Sequence, residues 1–297
     1  MSKFINPWVD RGFKILFGQE INKDLLIDFL NDLFDGERSI TDLTFLNVEL
    51  PSESIEGRGA IFDLKCKDAE GSVFIVEVQN ASQCYFYERG LYYLCRAVCE
   101  QGQRGPEWKF GLYPVYGIFL LNFKSGRTGK LRTDIILADR ESGKQFSDKM
   151  RQIYLEMPFF TKEEDECETP FEMWLYVLKN MDKLERMPFK AQKQLFEKLE
   201  KMAGIANLTK EERLEYDEAL KVYRDCKNIV DYANVEGRAA GHAEGRAEGI
   251  VEGREEGREE GREEEKISIA KSFKEKGTPI KLIAECTGLS EEEINNL

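Results

Sequence analysis

Two carboxylates on neighbouring extended segments are the residues of this sequence best placed to do chemistry. Asp63 follows an apolar run at residues 60–62, and Glu77 lies inside a second apolar run at residues 73–78. The residues between the runs, Asp-Ala-Glu-Gly at 68–71, are typical of a tight turn. The pattern predicts a β-hairpin over about residues 60–80 that carries both acids.

A turn centred on Glu70 sets the register of this hairpin and places Asp63 directly opposite Glu77. Opposed side chains have Cβ atoms about 4.5–5.5 Å apart, and like charges in that relation are destabilising. A divalent cation between them would make the interaction favourable, because both carboxylates would be attracted to the ion. Hard oxygen ligands suit Mg²⁺ or Mn²⁺, which act as Lewis acids and activate water in phosphodiester hydrolysis. The same register pairs Lys67 with Val73 and Lys65 with Ile75.

The alternative is that both acids are ordinary solvent-facing strand residues. The apolar flanks favour the metal site, because buried strands seldom carry acids without a partner. Strand alternation puts Gln79 on the same face as Glu77, with Val76 and Val78 on the other.

Other catalytic chemistries have little support in the composition. The one histidine, His242, lies in a low-complexity repeat, which weighs against a zinc site and against Ser-His-Asp or Cys-His mechanisms. The seven cysteines show no CxxC pattern, so we expect them to be reduced and buried.

The charge and hydropathy patterns limit the partners. A formal net charge of −13 argues against a protein that coats nucleic acid through its overall field. Residues 124–151 are locally rich in Lys and Arg, which predicts either a basic surface or an ordinary solvated strand edge. No apolar run approaches the ~18 residues of a membrane span, and the N-terminus lacks a signal pattern. We expect no membrane association and a cytoplasmic location.

The elements that position the acids follow from the periodicity of apolar residues. The pattern predicts a mixed α/β domain over residues 1–157, in which the first three strands form an antiparallel meander. Helices are expected at 7–17, 22–35 and 84–101, and strands at 40–50, 60–67, 73–79, 115–123, 134–138 and 152–156.

The remaining sequence is predicted to be helical. Residues 158–235 form a helical extension, and residues 236–265 repeat an EGR unit that places glycine at every fourth position. Each interior glycine costs roughly 0.5–1 kcal/mol relative to alanine, so this segment either packs against another helix, as in a homo-oligomer, or forms a solvated linker. Residues 266–297 resemble a small helix-turn-helix. Acids at 291–293, where a recognition helix would face phosphate, favour an assembly role over DNA reading.

Several of these pieces together resemble a known family. They are Asp10, Phe13, Lys14 and Phe17 in the first helix, then Phe62-Asp63, Ile75-Val76-Glu77-Val78-Gln79 and Glu88-Arg89-Gly90-Leu91-Tyr92-Tyr93. In order and spacing they resemble the PD-(D/E)XK nuclease family transposases, also called recombination-promoting nucleases, whose glycine-rich tails are similar too. The resemblance implies a restriction-endonuclease-like fold with a mixed central sheet and Mg²⁺-dependent DNA cleavage linked to recombination.

The resemblance also implies roles for individual residues. Asp63 and Glu77 would bind the metal ion, Mg²⁺ or Mn²⁺. Gln79 stands where many nucleases of the wider superfamily have lysine, so either its amide orients the attacking water or a cation comes from elsewhere. Lys14 is the candidate cation, and Asp10, one helical turn away, is a candidate further ligand. The alternative for this pair is a plain i,i+4 ion pair.

Arg89 is the candidate DNA-phosphate contact, and the alternative is a salt bridge with Glu88 or another acid. Two functions remain open at this point. The first is a metal-dependent DNA endonuclease of recombination or mobile elements. The second is a cleavage-deficient, nuclease-derived DNA-binding or assembly protein that oligomerises through its C-terminal tail. The presence of Asp63 and Glu77 favours the first.

Overall fold

The structure, a computed structural model, describes residues 2–50 and 60–297. In these ranges the α-helices are α1 (Asp10–Phe17), α2 (Lys23–Phe34), α3 (Phe86–Cys99), α4 (Pro170–Asn180), α5 (Leu195–Ala203), α6 (Lys210–Glu275), α7 (Ile280–Thr287) and α8 (Glu291–Asn296). The strands are β1 (Leu43–Phe45), β2 (Glu49–Leu50), β3 (Ala60–Ile61), β4 (Leu64–Asp68), β5 (Val73–Gln79), β6 (Val115–Leu121), β7 (Arg132–Ala138) and β8 (Gln145–Glu156).

Six strands form a mixed central sheet in the order β1-β4-β5-β6-β8-β7. β5, β6 and β8 run parallel, and the outer pairings are antiparallel. The predicted meander is confirmed, because β1 pairs with β4 and β4 with β5. The predicted register is confirmed as well, with Lys67 opposite Val73 and Lys65 opposite Ile75. The α/β class with a mixed central sheet is therefore correct.

Both faces of the sheet are covered. Phe74 and Val76 of β5 belong to a core that also contains residues of α1, α2, α4 and α5. Val73 and Ile75 alternate to the opposite face, where they join a smaller core with residues of α3. Each large apolar side chain buried in these cores stabilises the fold by about 1.5–3 kcal/mol. Double coverage explains why β5 is a nearly continuous apolar run.

The elements up to residue 156 differ from the prediction at several places, and the strand predicted at 40–50 is divided into β1 and β2. α1 begins at Asp10 rather than near residue 7, because the Asn6 side chain accepts the Trp8 N–H at 2.9 Å and holds a turn before the helix. The segment predicted as one strand at 60–67 is interrupted after Ile61, where β3 pairs with β2 instead of continuing in the main sheet. β8 begins at Gln145, earlier than predicted, because its exposed first half shows no apolar alternation.

The expectation that the cysteines are buried is wrong for most of them. Cys66 and Cys167 are buried, whereas the other five are exposed on the surface of the described elements: Cys84, Cys95, Cys99, Cys226 and Cys286. The exposed cysteines of α3 and α6 lie on the outward-facing sides of these helices. The sequence does not reveal this, because polar and apolar residues are not sharply separated into two faces there.

The chain divides into two compact units, Met1–Lys227 and Asn228–Leu297. In the first unit, the helical region after the sheet shares the main core, since Trp174, Phe196 and Tyr216 are buried in it. The Tyr216 hydroxyl accepts the Asn6 N–H at 2.7 Å, which ties the start of α6 to the N-terminus. The finer domain bounds proposed from the sequence stay predictions.

The second unit contains the C-terminal part of α6 together with α7 and α8. Its small core consists of Ala270, Ile283 and Ile294. Ser290 caps α8 by accepting the Glu293 N–H at 3.2 Å, and turns near residues 277–279 and 287–290 separate the three helices. The EGR repeat lies within α6. Across the described ranges, no helix combines the length and apolar character needed to cross a membrane.

Candidate active site

The structure brings Asp63 and Glu77 together at the end of the β4–β5 hairpin. Asp63 lies in the interruption between β3 and β4, and Glu77 lies in β5. The Asp63 N–H donates to Glu77 Oε1 at 3.1 Å, and the Val78 N–H donates to Asp63 Oδ2 at 2.8 Å. These reciprocal bonds replace sheet hydrogen bonds where the strand pairing stops. They also fix the direction of both carboxylates.

Burial works against the charge of both acids. Glu77 is only 4% exposed and Asp63 is half-buried. Burial raises the pKa of Asp63 to about 6, and repulsion from Asp10 adds to the rise. Burial, reinforced by the charge of Asp63, raises the pKa of Glu77 to about 8. The two acids therefore share a site in which the metal-free protein disfavours a double negative charge.

Lys14 and Arg89 are close enough to act on both carboxylates through their charge. Both cations lower the pKa of Asp63 and of Glu77, although burial outweighs them. In the part of the chain that the structure describes, neither forms an ion pair within 4.0 Å of these acids. The positive charge thus lies near the site without neutralising it.

The immediate partners of these cations are residues outside the acid pair, and the roles of both cations at the site stay predictions. Lys14 forms the i,i+4 ion pair with Asp10, at 2.9 Å between Nζ and Oδ1. Arg89 donates from Nη1 to Gln83 Oε1 at 2.7 Å. Glu88 instead pairs with Arg127 at 3.5 Å. The salt bridge that was the alternative role for Arg89 is therefore not formed with Glu88.

Asp10, Asp63 and Gln79 line one cleft with a volume of about 390 Å³. Trp8 and Val9 contribute to the same wall as Asp10. Four residues of α6, none of which the sequence predicts to belong to the site, also line this cleft: Ala219, Val222, Tyr223 and Cys226. Their spacing is that of one helix face, which signals a helix but gives no link to acids far earlier in the chain.

Tyr93 also lies near the acids, and the sequence predicts no role for it at the site. It lies in α3, and its ring packs edge-on against Phe62 with centroids 5.1 Å apart. Burial raises the pKa of the Tyr93 hydroxyl, and the charge of Glu77 adds to this effect. Gly90 in the same helix allows α3 to pack closely on β6, because a Cβ at this position would lie 3.0 Å from the Phe119 ring.

The locally basic stretch at residues 124–151 is partly compensated by acids. Arg132 and Arg151 both pair with Asp134, at 2.8 Å and 2.6 Å. Lys149 pairs with Asp148 at 3.2 Å. These contacts favour the solvated strand edge over a basic DNA-binding surface.

The donor chemistry at the hairpin fits a divalent cation. Two carboxylates are held side by side, their burial penalises both charges, and a cation would remove that penalty. Carboxylate oxygens are the ligands that Mg²⁺ and Mn²⁺ prefer. Within residues 2–50 and 60–297, no three His, Cys, Asp or Glu side chains are grouped closely enough to hold a metal ion. The role of Asp10 as a further ligand stays a prediction.

The raised pKa values predict how the stability of the metal-free protein depends on pH. Both acids have folded-state pKa values above their ordinary values of 3.8 and 4.5, so their contribution to stability is full below about pH 4 and is lost as the pH rises through about 6 and 8. In EDTA, the free energy of unfolding of the wild type should therefore fall between pH 5 and 8, by on the order of 3 kcal/mol.

Urea unfolding of the Glu77→Gln variant provides the comparison. The amide keeps an acceptor for the Asp63 N–H but does not ionise, so most of the pH dependence should disappear and the variant should exceed the wild type in stability near pH 8. Glu70→Gln, in the exposed turn of the same hairpin, is the control and should follow the wild type. Parallel profiles for all three proteins would show that the acids do not destabilise the metal-free fold.

A mixed central sheet covered by helices on both faces, with paired acids at the end of a β-hairpin, is the arrangement of the restriction-endonuclease-like fold. The chain belongs to the PD-(D/E)XK nuclease family transposases, whose family model matches residues 7–233. The match includes α1, the hairpin, α3 and the first part of α6 and ends before the EGR repeat. Comparisons with curated proteins and with solved structures returned no match. The predicted resemblance and fold are thereby confirmed, and the family links the chain to nucleases and mobile elements.

Proposed function

We propose that this protein is a metal-dependent DNA endonuclease that hydrolyses phosphodiester bonds during recombination or the movement of mobile elements. The observation that carries the proposal is the pairing of Asp63 and Glu77, whose carboxylates are locked by reciprocal hydrogen bonds and kept at raised pKa values by burial. Membership of a nuclease family supports the same conclusion.

In this proposal Asp63 and Glu77 hold Mg²⁺ or Mn²⁺, with Asp10 as a further ligand from α1. The bound ion supplies Lewis acidity and activates water. Since burial raises the pKa of Glu77 to about 8, this carboxyl is mainly protonated at neutral pH in the metal-free protein. Metal binding is therefore coupled to loss of a proton from Glu77 and should weaken as the pH falls.

The other candidate residues position the reactants. Gln79 lines the cleft, where its amide can orient a water molecule by hydrogen bonding. Lys14 supplies positive charge beside the acids, held by its ion pair with Asp10. Arg89 contacts a DNA phosphate after releasing Gln83. A cytoplasmic location also remains a prediction.

Incubation of the purified protein with supercoiled plasmid tests the proposal. With Mg²⁺ or Mn²⁺, the plasmid should be converted to nicked or linear DNA, and EDTA should prevent the conversion. DNA that stays supercoiled with either ion would contradict the endonuclease, and cleavage that continues in EDTA would contradict its dependence on metal.

The exposed glycines of α6 favour a second property, self-association. In the EGR repeat, no heavy atom beyond the local helix backbone lies within 4 Å of a Cβ built on Gly245, Gly249 or Gly253. A second helix can therefore approach the backbone closely along this stripe. We propose that two copies of the chain associate along this stripe. Such association does not depend on DNA cleavage, so it is also expected if the protein has lost that activity.

Deletion of residues 236–297 is expected to lower the mass in solution to that of a monomer while leaving plasmid cleavage intact. The acids and the residues that line their cleft all precede the deleted segment. Light scattering on the full chain and on the deletion variant measures the first effect. The same oligomeric state for both proteins would contradict assembly through the tail.

A further inference from the structure

A second cavity lies beside the candidate active-site cleft, on a neighbouring face of α6. It has a volume of about 450 Å³, and Asn6, Asp182 and Tyr216 lie on its wall. Tyr223 lines both this cavity and the cleft that contains Asp63. The two spaces are therefore adjacent, and both belong to the compact unit that ends at Lys227.

The charge of the second cavity is not balanced. Arg213 is paired with Asp217, at 2.8 Å between Nε and Oδ2. Arg224 and Lys227 also line the cavity, and over the ranges that the structure describes neither has a carboxylate within 4.0 Å. Asp182 lines the same cavity; burial raises the pKa of its carboxyl, and the charges of Lys183 and Lys227 oppose this rise. Within the described chain, these two exposed cations thus stand unpaired in a protein whose net charge is −13.

The position of these cations matches the path of a bound polyanion. On its α6 side the cleft is lined by Ala219, Val222, Tyr223 and Cys226, which carry no positive charge. A DNA strand that reaches Asp63 extends beyond the cleft, and the next cations past Tyr223 are Arg224 and Lys227. They are about 4.5 Å apart along the helix axis, at 1.5 Å per residue, which places them on consecutive turns. Phosphates recur about every 3.4 Å along each strand of B-DNA.

We propose that Arg224 and Lys227 bind the phosphate backbone of the DNA whose neighbouring segment occupies the active-site cleft. This inference rests on the proposed nuclease function and names a part of its substrate-binding surface. Contacts of this kind fix the register of the DNA on the protein without reading its sequence. Tyr223 forms the boundary between the backbone contact and the cleft.

The test is the affinity of the full chain for labelled oligonucleotides, measured by fluorescence anisotropy in EDTA over a series of NaCl concentrations. The Arg224→Gln/Lys227→Gln double variant should raise Kd by on the order of 10–100-fold at low salt. It should also reduce the slope of log K against log salt by about 2, because each lost phosphate contact removes about 0.9 from that slope. Lys221→Gln is the matched control, since Lys221 is exposed on the same helix but lines neither cavity.

Four outcomes decide the proposal. A loss of affinity and slope confined to the double variant supports it, as does retained affinity in Arg224→Lys. Unchanged binding in the double variant, or an equal loss in Lys221→Gln, overturns it. Oligonucleotide affinity is measured without metal, so it does not depend on cleavage. Failure of the wild type to cut plasmid would overturn the proposed nuclease function, and the affinities of the variants would still decide whether Arg224 and Lys227 bind DNA. Thermal unfolding of each variant identifies any loss of affinity that comes from misfolding, and Arg224→Lys then provides the decisive comparison.

Discussion

Asp63→Asn and Glu77→Gln should each reduce Mg²⁺-dependent plasmid cleavage by roughly a thousandfold or more, which corresponds to about 4 kcal/mol of lost transition-state stabilisation. Each substitution removes one of two anionic ligands but keeps an oxygen that can accept the hydrogen bond made at that position. In Asp63→Asn the new amide oxygen still accepts the Val78 N–H, and in Glu77→Gln the new amide oxygen still accepts the Asp63 N–H. The fold should therefore survive, and loss of cleavage can be attributed to loss of the metal.

Thermal unfolding separates this explanation from a general defect. Mn²⁺ at one hundred times its Kd should stabilise the wild type by about 2.7 kcal/mol and leave both variants unchanged. Glu70→Gln is the matched control, because it removes a carboxylate from the same hairpin at an exposed turn and should cut normally. Cleavage that persists when both Asp63 and Glu77 are changed would falsify the metal site.

The second large effect concerns the cation of the site, because Gln79 stands where many nucleases of the wider superfamily have lysine. Lys14→Ala should lower cleavage by about 10²-fold or more, the scale expected when one group that stabilises developing charge is removed. Gln79→Lys should retain or raise activity, because it restores a cation beside Glu77, and it should partly rescue Lys14→Ala. Gln79→Ala should lower activity. Initial rates of plasmid nicking measure all four variants.

The control for this series is Lys67→Ala, which removes an exposed cation from β4 away from the acids. Asp10→Asn changes both proposed roles of α1 at once, because it releases Lys14 from its ion pair and also removes the proposed further ligand. Lys14→Ala changes the cation alone, and comparison of the two variants shows what the loss of the ligand adds. Full activity in Lys14→Ala would eliminate Lys14 from the mechanism and leave Gln79 to orient the water alone.

The hairpin that carries the acids was predictable from sequence because its determinants are local. The turn at residues 68–71 ends in Gly71, which adopts φ +92°, a conformation that favours glycine. Once the turn is fixed, the register of β4 and β5 follows by counting along the two strands. The alternation of β5 between the two cores follows from the same register.

The interruption at Asp63 was not predictable, because it depends on partners outside the hairpin. The Phe62 N–H donates to the Val48 carbonyl at 2.9 Å, so the chain leaves the main sheet for β2 just before the acid. The apolar pattern of residues 60–67 runs through this change of partner without a break. A local pattern reports burial, and it does not report which strand is the neighbour.

The α6 side of the cleft was unpredictable for a related reason. Its residues reach the site because Tyr216 is buried in the main core and accepts a hydrogen bond from Asn6. This contact joins residues 210 positions apart in the chain, and no local spacing encodes it. The cavity that contains Arg224 and Lys227 depends on the same packing.

The reciprocal hydrogen bonds between the acidic segments also bear on how such a protein could lose its activity over evolution. Alanine at position 63 would leave the part-buried Val78 N–H without its acceptor, which costs up to the ~1–3 kcal/mol of an unsatisfied buried donor. Asparagine or glutamine would abolish the negative charge at no such cost. A descendant that has given up cleavage but keeps its fold should therefore carry amides at these two positions, so an amide pair there would mark an inactive lineage.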